Sequence, residues 1–284
     1  MKTGLPGSTA SPSSWQNCVP GLVAAILATV MAAFFIIPIV ALVWRAVTLE
    51  GQVATSELSV VSAITISLGT TAVTVVLIVI LGTPLAYFLA RYQFPLKRLL
   101  SVFIEMPIVM PPVVAGLALL SAFGRRGLIG LPLAHLNITI TFTVTAVALA
   151  QLFVSSPFYI RAAQSRFESL PREYEDAAAV DGANQWVIFW RVILPQSSHA
   201  LLTGLILSWA RALGEFGATI LFAGNLQGRT QTMPLLVYGA LERDLRVTFI
   251  TALILLGLAF FAFALTRWIA GVDNDDGDTP TFLG

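Results

Sequence analysis

Charge and reactive side chains are scarce in this chain, and each shortage excludes a class of function. Only 11% of the 284 residues are charged, and the sequence holds one cysteine, two histidines and two lysines. The single Cys18 rules out an internal disulfide bond, and His135 and His199 lie too far apart in sequence to indicate a metal cluster. A phosphate-binding loop, in which a Gly-Lys pair precedes Ser or Thr, is also absent because neither Lys2 nor Lys97 follows a glycine. We therefore expect the chain to hold no metal or cofactor, to have no catalytic residues and to hydrolyse no nucleotide itself.

Apolar residues make up 57% of the chain and give it a mean hydropathy of +0.84. Soluble domains contain roughly 45–50% apolar and 25% charged residues, so this composition indicates an integral membrane protein. The net charge of +1, without any block of like charges, gives no indication of nucleic-acid binding. The lipid bilayer is the expected surrounding of most of the chain.

Six stretches of about 20 apolar residues predict an all-α protein with six transmembrane helices. They cover residues 22–44, 62–90, 99–122, 138–160, 201–223 and 247–270. Strands of a membrane barrel would alternate polar and apolar residues over about 10 positions, whereas these runs are continuous. The sequence accordingly divides into a disordered tail at 1–20, a membrane domain at 21–271 and an acidic tail at 272–284.

The short loops between these spans predict the orientation of the chain. With both termini cytoplasmic, the inner side carries nine lysines and arginines and the outer side carries six. This distribution agrees with the excess of positive charge on the cytoplasmic side of membrane proteins. We expect a multi-pass protein of a bacterial or archaeal plasma membrane with both ends inside.

Prolines interrupt two of the predicted spans. Pro84 follows Gly82 within the second span, and Pro111 and Pro112 lie inside the third. A proline removes a backbone donor, and lipid cannot satisfy the carbonyl that loses its partner, so such positions usually face protein or a wet cavity. The sequence leaves open whether these prolines line a pathway or form kinks that fit neighbouring helices.

One long polar segment, at about 161–199, separates the fourth span from the fifth. Nine charged residues fall between Arg161 and Arg191, a density typical of a segment in water. Ser169 predicts the cap of one short helix that ends at Gly182, and Asn184 predicts the cap of a second that ends near Ile193. The second helix carries four large apolar residues at helical spacing: Trp186, Phe189, Trp190 and Ile193. Its aromatic residues are expected to root it in the membrane domain. Composition alone leaves two interpretations, a docking element and a solvated connecting loop.

The run DAAAVDGANQWVIFWRVILP, from Asp176 to Pro195, resembles the cytoplasmic-loop signature of ABC importer permeases. That signature reads EAA, three residues, G, nine residues, I, one residue, L, P. The matching residues here are Ala177, Ala178, Gly182, Leu194 and Pro195. Asp176 replaces the glutamate and directly follows Glu175, and Val192 replaces the isoleucine; both changes are conservative.

The resemblance implies a type I ABC importer permease (MetI-like) fold, in which this loop inserts into a groove on a separate ATPase subunit. The residues implied at that contact are Glu175, Asp176, Ala177, Ala178, Asp181, Gly182, Ala183, Leu194 and Pro195. The implied assembly is a permease homodimer with two ATPase subunits inside and an extracytoplasmic binding protein outside.

The fifth span contains two charges, Arg211 and Glu215, four residues apart. On a continuous helix they share a face and can pair. A charge at mid-membrane costs about 2.5–3.5 kcal/mol on the insertion scale, so intramembrane charges usually mark a pathway. A buried pair that only fixes packing is the alternative. The candidate residues of the translocation path or gate are Arg211, Gly214, Glu215, Gly217, Pro111 and Pro112.

The run RALGEFGATILFAGN, followed by GRTQTMPLLVY, resembles the fifth span and outer loop of permeases for molybdate and related oxyanions. The likeness extends over most of residues 60–270. It implies ATP-driven import of molybdate or tungstate, with sulfate as an alternative, and a binding protein that docks on outer loops including Gly224 to Arg246. Alternatives from other classes are an ion-coupled secondary transporter that uses the charge pair as a relay, and a non-transporting assembly factor.

Overall fold

The computed structural model describes residues 15–49 and 57–275, and all regular structure within those residues is helical. The helices are α1 (Trp15–Thr48), α2 (Glu57–Leu77), α3 (Thr83–Arg91), α4 (Lys97–Val109), α5 (Pro112–Phe123), α6 (Gly130–His135), α7 (Val144–Ser169), α8 (Glu173–Val180), α9 (Gln185–Ile188), α10 (Leu194–Leu213), α11 (Gly217–Phe222), α12 (Met233–Ala240) and α13 (Leu245–Asp275). One π-helical turn, Ile78–Gly82, joins α2 to α3, and a second, Phe189–Ile193, joins α9 to α10.

Within the described residues, four helical segments are long and apolar enough to cross a membrane: Val23–Thr48, Ser59–Arg91, Val144–Ser169 and Leu245–Leu265. They correspond to the predicted first, second, fourth and sixth spans. Each of the other two predicted spans consists of two helices. The third span is divided between α4 and α5, and the fifth is divided between α10 and α11.

Each of these two breaks has a local cause. Met110 and Pro111 both have extended backbone, because a residue that precedes a proline is disfavoured in the α conformation. In the fifth span, Gly214 leaves the helix with a ψ of 3° and Phe216 has a φ of −128°. Glycine favours a helix less than other residues do, and a hydrogen bond from the Ala218 N–H to the Glu215 carboxylate fixes the start of α11.

The unit Met1–Leu49 contains α1, whose apolar side chains include the exposed Phe34 and Ile37. A helix that is apolar around most of its circumference is typical of a membrane span. This helix begins at Trp15, before the end of the predicted N-terminal tail, and α13 continues to Asp275, inside the predicted acidic tail. The remaining residues of both tails lie outside the described residues.

The second unit, Glu50–Gly284, is organised around α7. This helix contacts α2, α3, α4, α5, α10 and α11. Small residues such as Ala146, Ala150 and Ala163 are fully buried in it and allow neighbouring helices to approach closely. At one end, α7 packs with α3 and α10 around Phe167, and at the other it packs with α5 and α11 around Phe222.

The predicted polar loop is shorter than expected because α7 runs on to Ser169. Ser169 does not cap a helix; its hydroxyl donates to the carbonyl of Arg166 at 2.8 Å within α7. The next helix, α8, starts only at Glu173 and ends as predicted before Gly182. The predicted start of the polar segment at residue 161 therefore lies inside α7.

The second predicted loop helix also differs, because it does not stop at Ile193. The chain passes through the π-helical turn into α10, with the N–H of Leu194 bonded to the carbonyl of Phe189. A proline cannot donate and clashes with the carbonyl four residues before it, and the wider turn relieves this clash without ending the helix. Pro84 follows the other π-helical turn in the same position, so the expected break at that proline is a local widening.

Candidate functional site

Helix α8 is an exposed helix that carries the predicted coupling signature, and none of its residues is buried. Its outer surface includes Asp176, Ala177 and Val180, whose exposure reaches 88% at Val180. The helix ends in a reversal at Gly182, which has a φ of +86°. The N–H of Gly182 bonds to Ala179 and that of Ala183 to Ala178, each at 3.0 Å, a pattern typical of glycine at a helix C-terminus.

The inner side of α8 is held by an ion pair between Glu175 and Arg91 at the end of α3. The guanidinium of Arg91 also donates to the carbonyl of Leu170 at 3.3 Å, and Arg172 donates to the carbonyl of Arg91 at 3.4 Å. Glu175 was predicted to face the ATPase, but its carboxylate is engaged within the chain. Asp176, the next residue, is the exposed carboxylate.

The other predicted coupling residues divide between the surface and the interior. Asp181 and Pro195 are exposed, as is Ala177, whereas Ala178, Ala183 and Leu194 are partly buried and pack against the core at this end. Of these three alanines, Ala177 is therefore the exposed one.

Of the three aromatic residues predicted to root the second loop helix, Phe189 is packed against the membrane domain. Phe189 contacts Tyr87 of α3 with ring centroids 5.2 Å apart, and Ile193 is fully buried. Trp186 and Trp190 were wrongly predicted as roots, because both are exposed on the wall of a groove of about 570 Å³. Ile188, which the helical spacing did not single out, is buried instead.

Arg211 and Glu215 form the predicted ion pair, with Nη1 and Oε2 3.0 Å apart. They do not lie on one helix, since α10 ends at Leu213. The second carboxylate oxygen of Glu215 accepts a hydrogen bond at 2.8 Å from the backbone N–H of Ala218, the second residue of α11. Glu215 is 1% exposed and the side chain of Arg211 is 33% exposed. The carboxylate thus joins the end of one helix to the start of the next.

The two helix breaks meet where α5 and α11 begin. A Cβ atom added to Gly217 would lie 2.4 Å from the Cβ of Pro112, and one added to Gly116 would lie 2.9 Å from the Cβ of Leu221. These glycines allow the two helix backbones to touch. The remaining candidate pathway residues, Pro111 and Gly214, are both exposed.

Buried polar side chains connect α2, α7 and α10 by hydrogen bonds. The sequence did not single out these residues. Ser208 donates to the carbonyl of Ser155 at 2.9 Å, and the Thr74 hydroxyl donates to the side-chain carbonyl of Gln151 at 3.2 Å. Hydrogen bonds of this kind hold membrane helices together. Ser, Thr and Gln inside otherwise apolar runs were the available signal.

The predicted outer loop, Gly224 to Arg246, contains the short helix α12. The backbone N–H of Met233 donates to the hydroxyl of Ser67 on α2 at 2.8 Å, which fixes the start of α12. The part between Leu226 and Arg229 is exposed. An exposed segment therefore precedes a helix held against the bundle.

Residues 82–271 match the family described as the binding-protein-dependent transport system inner membrane component. Because this match covers more than half of the sequence, the chain belongs to that family. The chain is thus a multi-pass membrane protein, as its composition indicated.

Curated relatives include permeases named for two different oxyanion systems. The chain is 42% identical over 205 residues to the molybdenum transport system permease protein ModB of Mycobacterium tuberculosis, covering 69% of this chain and 78% of that protein. It is 37% identical over 217 residues to the probable transport system permease protein NifC of Clostridium pasteurianum, covering 76% and 75%. It is 43% identical over 176 residues to the sulfate transport system permease protein CysW of Synechococcus elongatus, covering 62% of each chain.

A solved structure supports the predicted fold. A chain of the bacterial alginate ABC transporter, crystallised in complex with an alginate pentasaccharide-bound periplasmic protein, superposes with a TM-score of 0.67 at 16% identity. The likeness covers 90% of this chain and 98% of that one. The all-α fold of a type I ABC importer permease is thereby confirmed.

Proposed function

We propose that the chain is the permease subunit of an ATP-driven importer for a tetrahedral oxyanion, with molybdate as the first candidate. The observation that carries this proposal is α8, an exposed helix that bears the importer signature and is held from beneath by Arg91 and a hydrophobic core. A docking element requires this combination, because its outer surface must be free while its base moves with the membrane helices.

The ATPase in this proposal is a separate subunit, since the sequence contains no phosphate-binding loop. Its contact surface is formed by Asp176, Ala177, Val180 and Gly182, all of which are exposed. Small residues allow a groove to close around the helix, and the carboxylate supplies one charge. Two permease copies and two ATPases would give a closed two-fold assembly, the commonest symmetry of oligomers.

The pathway in this proposal passes the break between α10 and α11. A partly exposed guanidinium at Arg211 lowers the electrostatic barrier for a dianion. Glu215 offsets part of that attraction from a buried position, so the anion is not held tightly and can leave. Tight capture then falls to an extracytoplasmic binding protein, which docks on the outer segment from Gly224 to Arg246.

Molybdate stands first because the match to the molybdenum permease covers more of both chains than the match to the sulfate permease. Tungstate has the same charge and tetrahedral shape, so the same arrangement serves it. Sulfate is the alternative substrate, supported by a relative of similar identity.

The test is reconstitution of the purified permease with its cognate ATPase and binding protein in proteoliposomes, followed by uptake of labelled molybdate. We expect uptake that requires ATP and all three components, and that excess unlabelled tungstate suppresses more strongly than sulfate. Full uptake in liposomes that contain the permease alone would identify an ion-coupled transporter. Uptake of labelled sulfate in place of molybdate would transfer the proposal to the alternative substrate.

A further inference from the structure

Arg91 is a nearly buried cation that neither the docking surface nor the pathway uses. Its side chain is 8% exposed, and it lies at the last position of α3. Its guanidinium contacts Glu175 of α8 and donates to Leu170, the residue that follows α7. Arg172, just before α8, donates in return to the Arg91 carbonyl. One arginine therefore links the ends of two membrane helices to the docking helix.

This pair differs from another ion pair on the same part of the molecule. Arg161 and Glu105 are 2.9 Å apart, but both side chains are well exposed. Exposed pairs are screened by water and contribute little to structure. The Arg91–Glu175 pair is largely removed from water, where opposite charges attract more strongly and removal of one partner leaves the other uncompensated.

Aromatic contacts connect the last turns of α3 to α7 and to the π-helical turn that follows α9. Tyr87, one turn before Arg91, packs edge-on against Phe167 of α7 at 5.8 Å and against Phe189 of the second π-helical turn at 5.2 Å. A displacement of α8 and α9 therefore acts on α3 at two points, the ion pair and these rings. Since α3 is the end of the continuous helical segment Ser59–Arg91, that displacement is passed into the second membrane span.

We propose that Arg91 is a positioning residue that transmits the movement of the docked helix α8 to the second membrane span through Glu175. The proposal rests on the proposed function, because it assigns a route between the ATPase contact and the membrane helices. It also assigns Glu175 to the inside of the coupling element and leaves Asp176 as the carboxylate that meets the ATPase.

The test uses the charge reversals Arg91→Glu and Glu175→Arg, alone and combined, in the complete importer. The matched control is Arg98→Glu, the same reversal at an exposed arginine of α4. ATPase co-purification, ATP hydrolysis and molybdate uptake are measured for each. We expect both single variants to retain the ATPase and to hydrolyse ATP, while uptake per ATP falls about tenfold because a buried pair is broken. The combined variant restores uptake per ATP to within about threefold of wild type, and the control stays at the wild-type value.

Three results would overturn the proposal. Wild-type uptake per ATP in both single variants means that the pair transmits nothing. A combined variant no better than the single ones means that the two charges do not act on each other. Loss of ATPase co-purification in Glu175→Arg, with normal coupling in Arg91→Glu, places Glu175 on the docking surface.

A milder variant tests the role of the Arg91–Glu175 pair if a charge reversal prevents the permease from accumulating in the membrane. Glu175→Gln keeps the size of the side chain and one of its oxygens beside Arg91, and it removes the charge. Lowered uptake per ATP with ATP hydrolysis retained supports the proposal, and wild-type coupling overturns it. The wild-type complex is measured first, so that a wild-type complex without ATP-driven uptake contradicts the proposed function and not the role of Arg91.

Discussion

The region beneath α8 and the region where α5 meets α11 are held together in different ways. Beneath α8, large side chains fill the space, with Tyr87 and Phe167 in edge-on contact and a buried arginine beside them. Between α5 and α11 it is the absence of side chains that matters, because Gly116 and Gly217 let the two backbones touch. One region is a packed base for an exposed helix, and the other is a close joint between two helix starts.

This difference predicts how each region responds to added bulk. A Cβ atom at Gly182, at the end of α8, would meet no atom within 4 Å, whereas one at Gly217 would lie 2.4 Å from Pro112. A larger side chain at Gly182 should therefore leave the isolated permease folded and disturb only its complex with the ATPase. Bulk at the joint should disturb the fold itself.

The largest effect is expected for Gly217→Ala. Because the new methyl group overlaps Pro112, α5 and α11 must separate, and overpacking of this kind costs about 1–3 kcal/mol of the free energy of unfolding. The measurement is the thermal unfolding midpoint of the purified permease in detergent. Gly69→Ala is the control, since a Cβ at Gly69 meets nothing within 4 Å and alanine favours a helix by about 1 kcal/mol over glycine. Equal midpoints for the two variants would contradict the close joint.

The spans and helix α8 could be predicted because their signals are local. Apolar runs marked every long helix, and the signature placed α8 and its end at Gly182 within a few residues of the structure. The break at Pro111 also had a local signal, although the sequence did not show that it would end α4. Prolines and glycines thus indicated where a helix is disturbed, but not whether it widens or ends there.

What the sequence left open depends on contacts between distant segments. The break after Leu213 contains no proline, and it is fixed by the bond from Ala218 to Glu215 and by the contact with α5. Glu175 and Asp176 are adjacent and chemically alike, and only the position of Arg91 decides which one faces inward. No pattern within either segment carries that information.

The second prediction tests the open surface of the coupling region. Gly182→Trp should abolish co-purification of the ATPase while membrane insertion is retained and the unfolding midpoint falls no further than in Gly182→Ala, because the side chain enters open space on the proposed docking face. The positive φ at Gly182 adds strain of about 1–2 kcal/mol for any residue with a Cβ. Gly182→Ala shares that strain without the bulk and should retain the ATPase. Normal co-purification of the tryptophan variant would remove Gly182 from the docking surface.

The third prediction concerns the charge at the helix break. Arg211→Ala should lower molybdate uptake by about tenfold, equivalent to about 1.4 kcal/mol in the transport barrier, while the complex still assembles. Assembly survives because Glu215 keeps its bond to Ala218. Removal of the cation leaves the buried Glu215 carboxylate uncompensated, which costs about 3–5 kcal/mol in a fully buried pair; the Ala218 bond and the partial exposure on the Arg211 side offset part of that cost. Arg211→Lys preserves the charge and should retain most of the uptake. An unaltered uptake rate in the alanine variant would leave the pair with a packing role only.

The smallest effect is expected for Asn184→Ala, which removes the cap of α9. The side-chain carbonyl of Asn184 accepts the backbone N–H of Val187 at 3.0 Å. Loss of such a cap costs about 1 kcal/mol, which corresponds to roughly fivefold faster hydrogen exchange at the Val187 amide if that amide opens locally. Asn184→Asp keeps the acceptor and should exchange at the wild-type rate. Because Ile188 and Ile193 are buried, their backbone amides should exchange at the wild-type rate in Asn184→Ala. Faster exchange at both of these amides would mean that the cap, and not the core beneath it, keeps this segment folded.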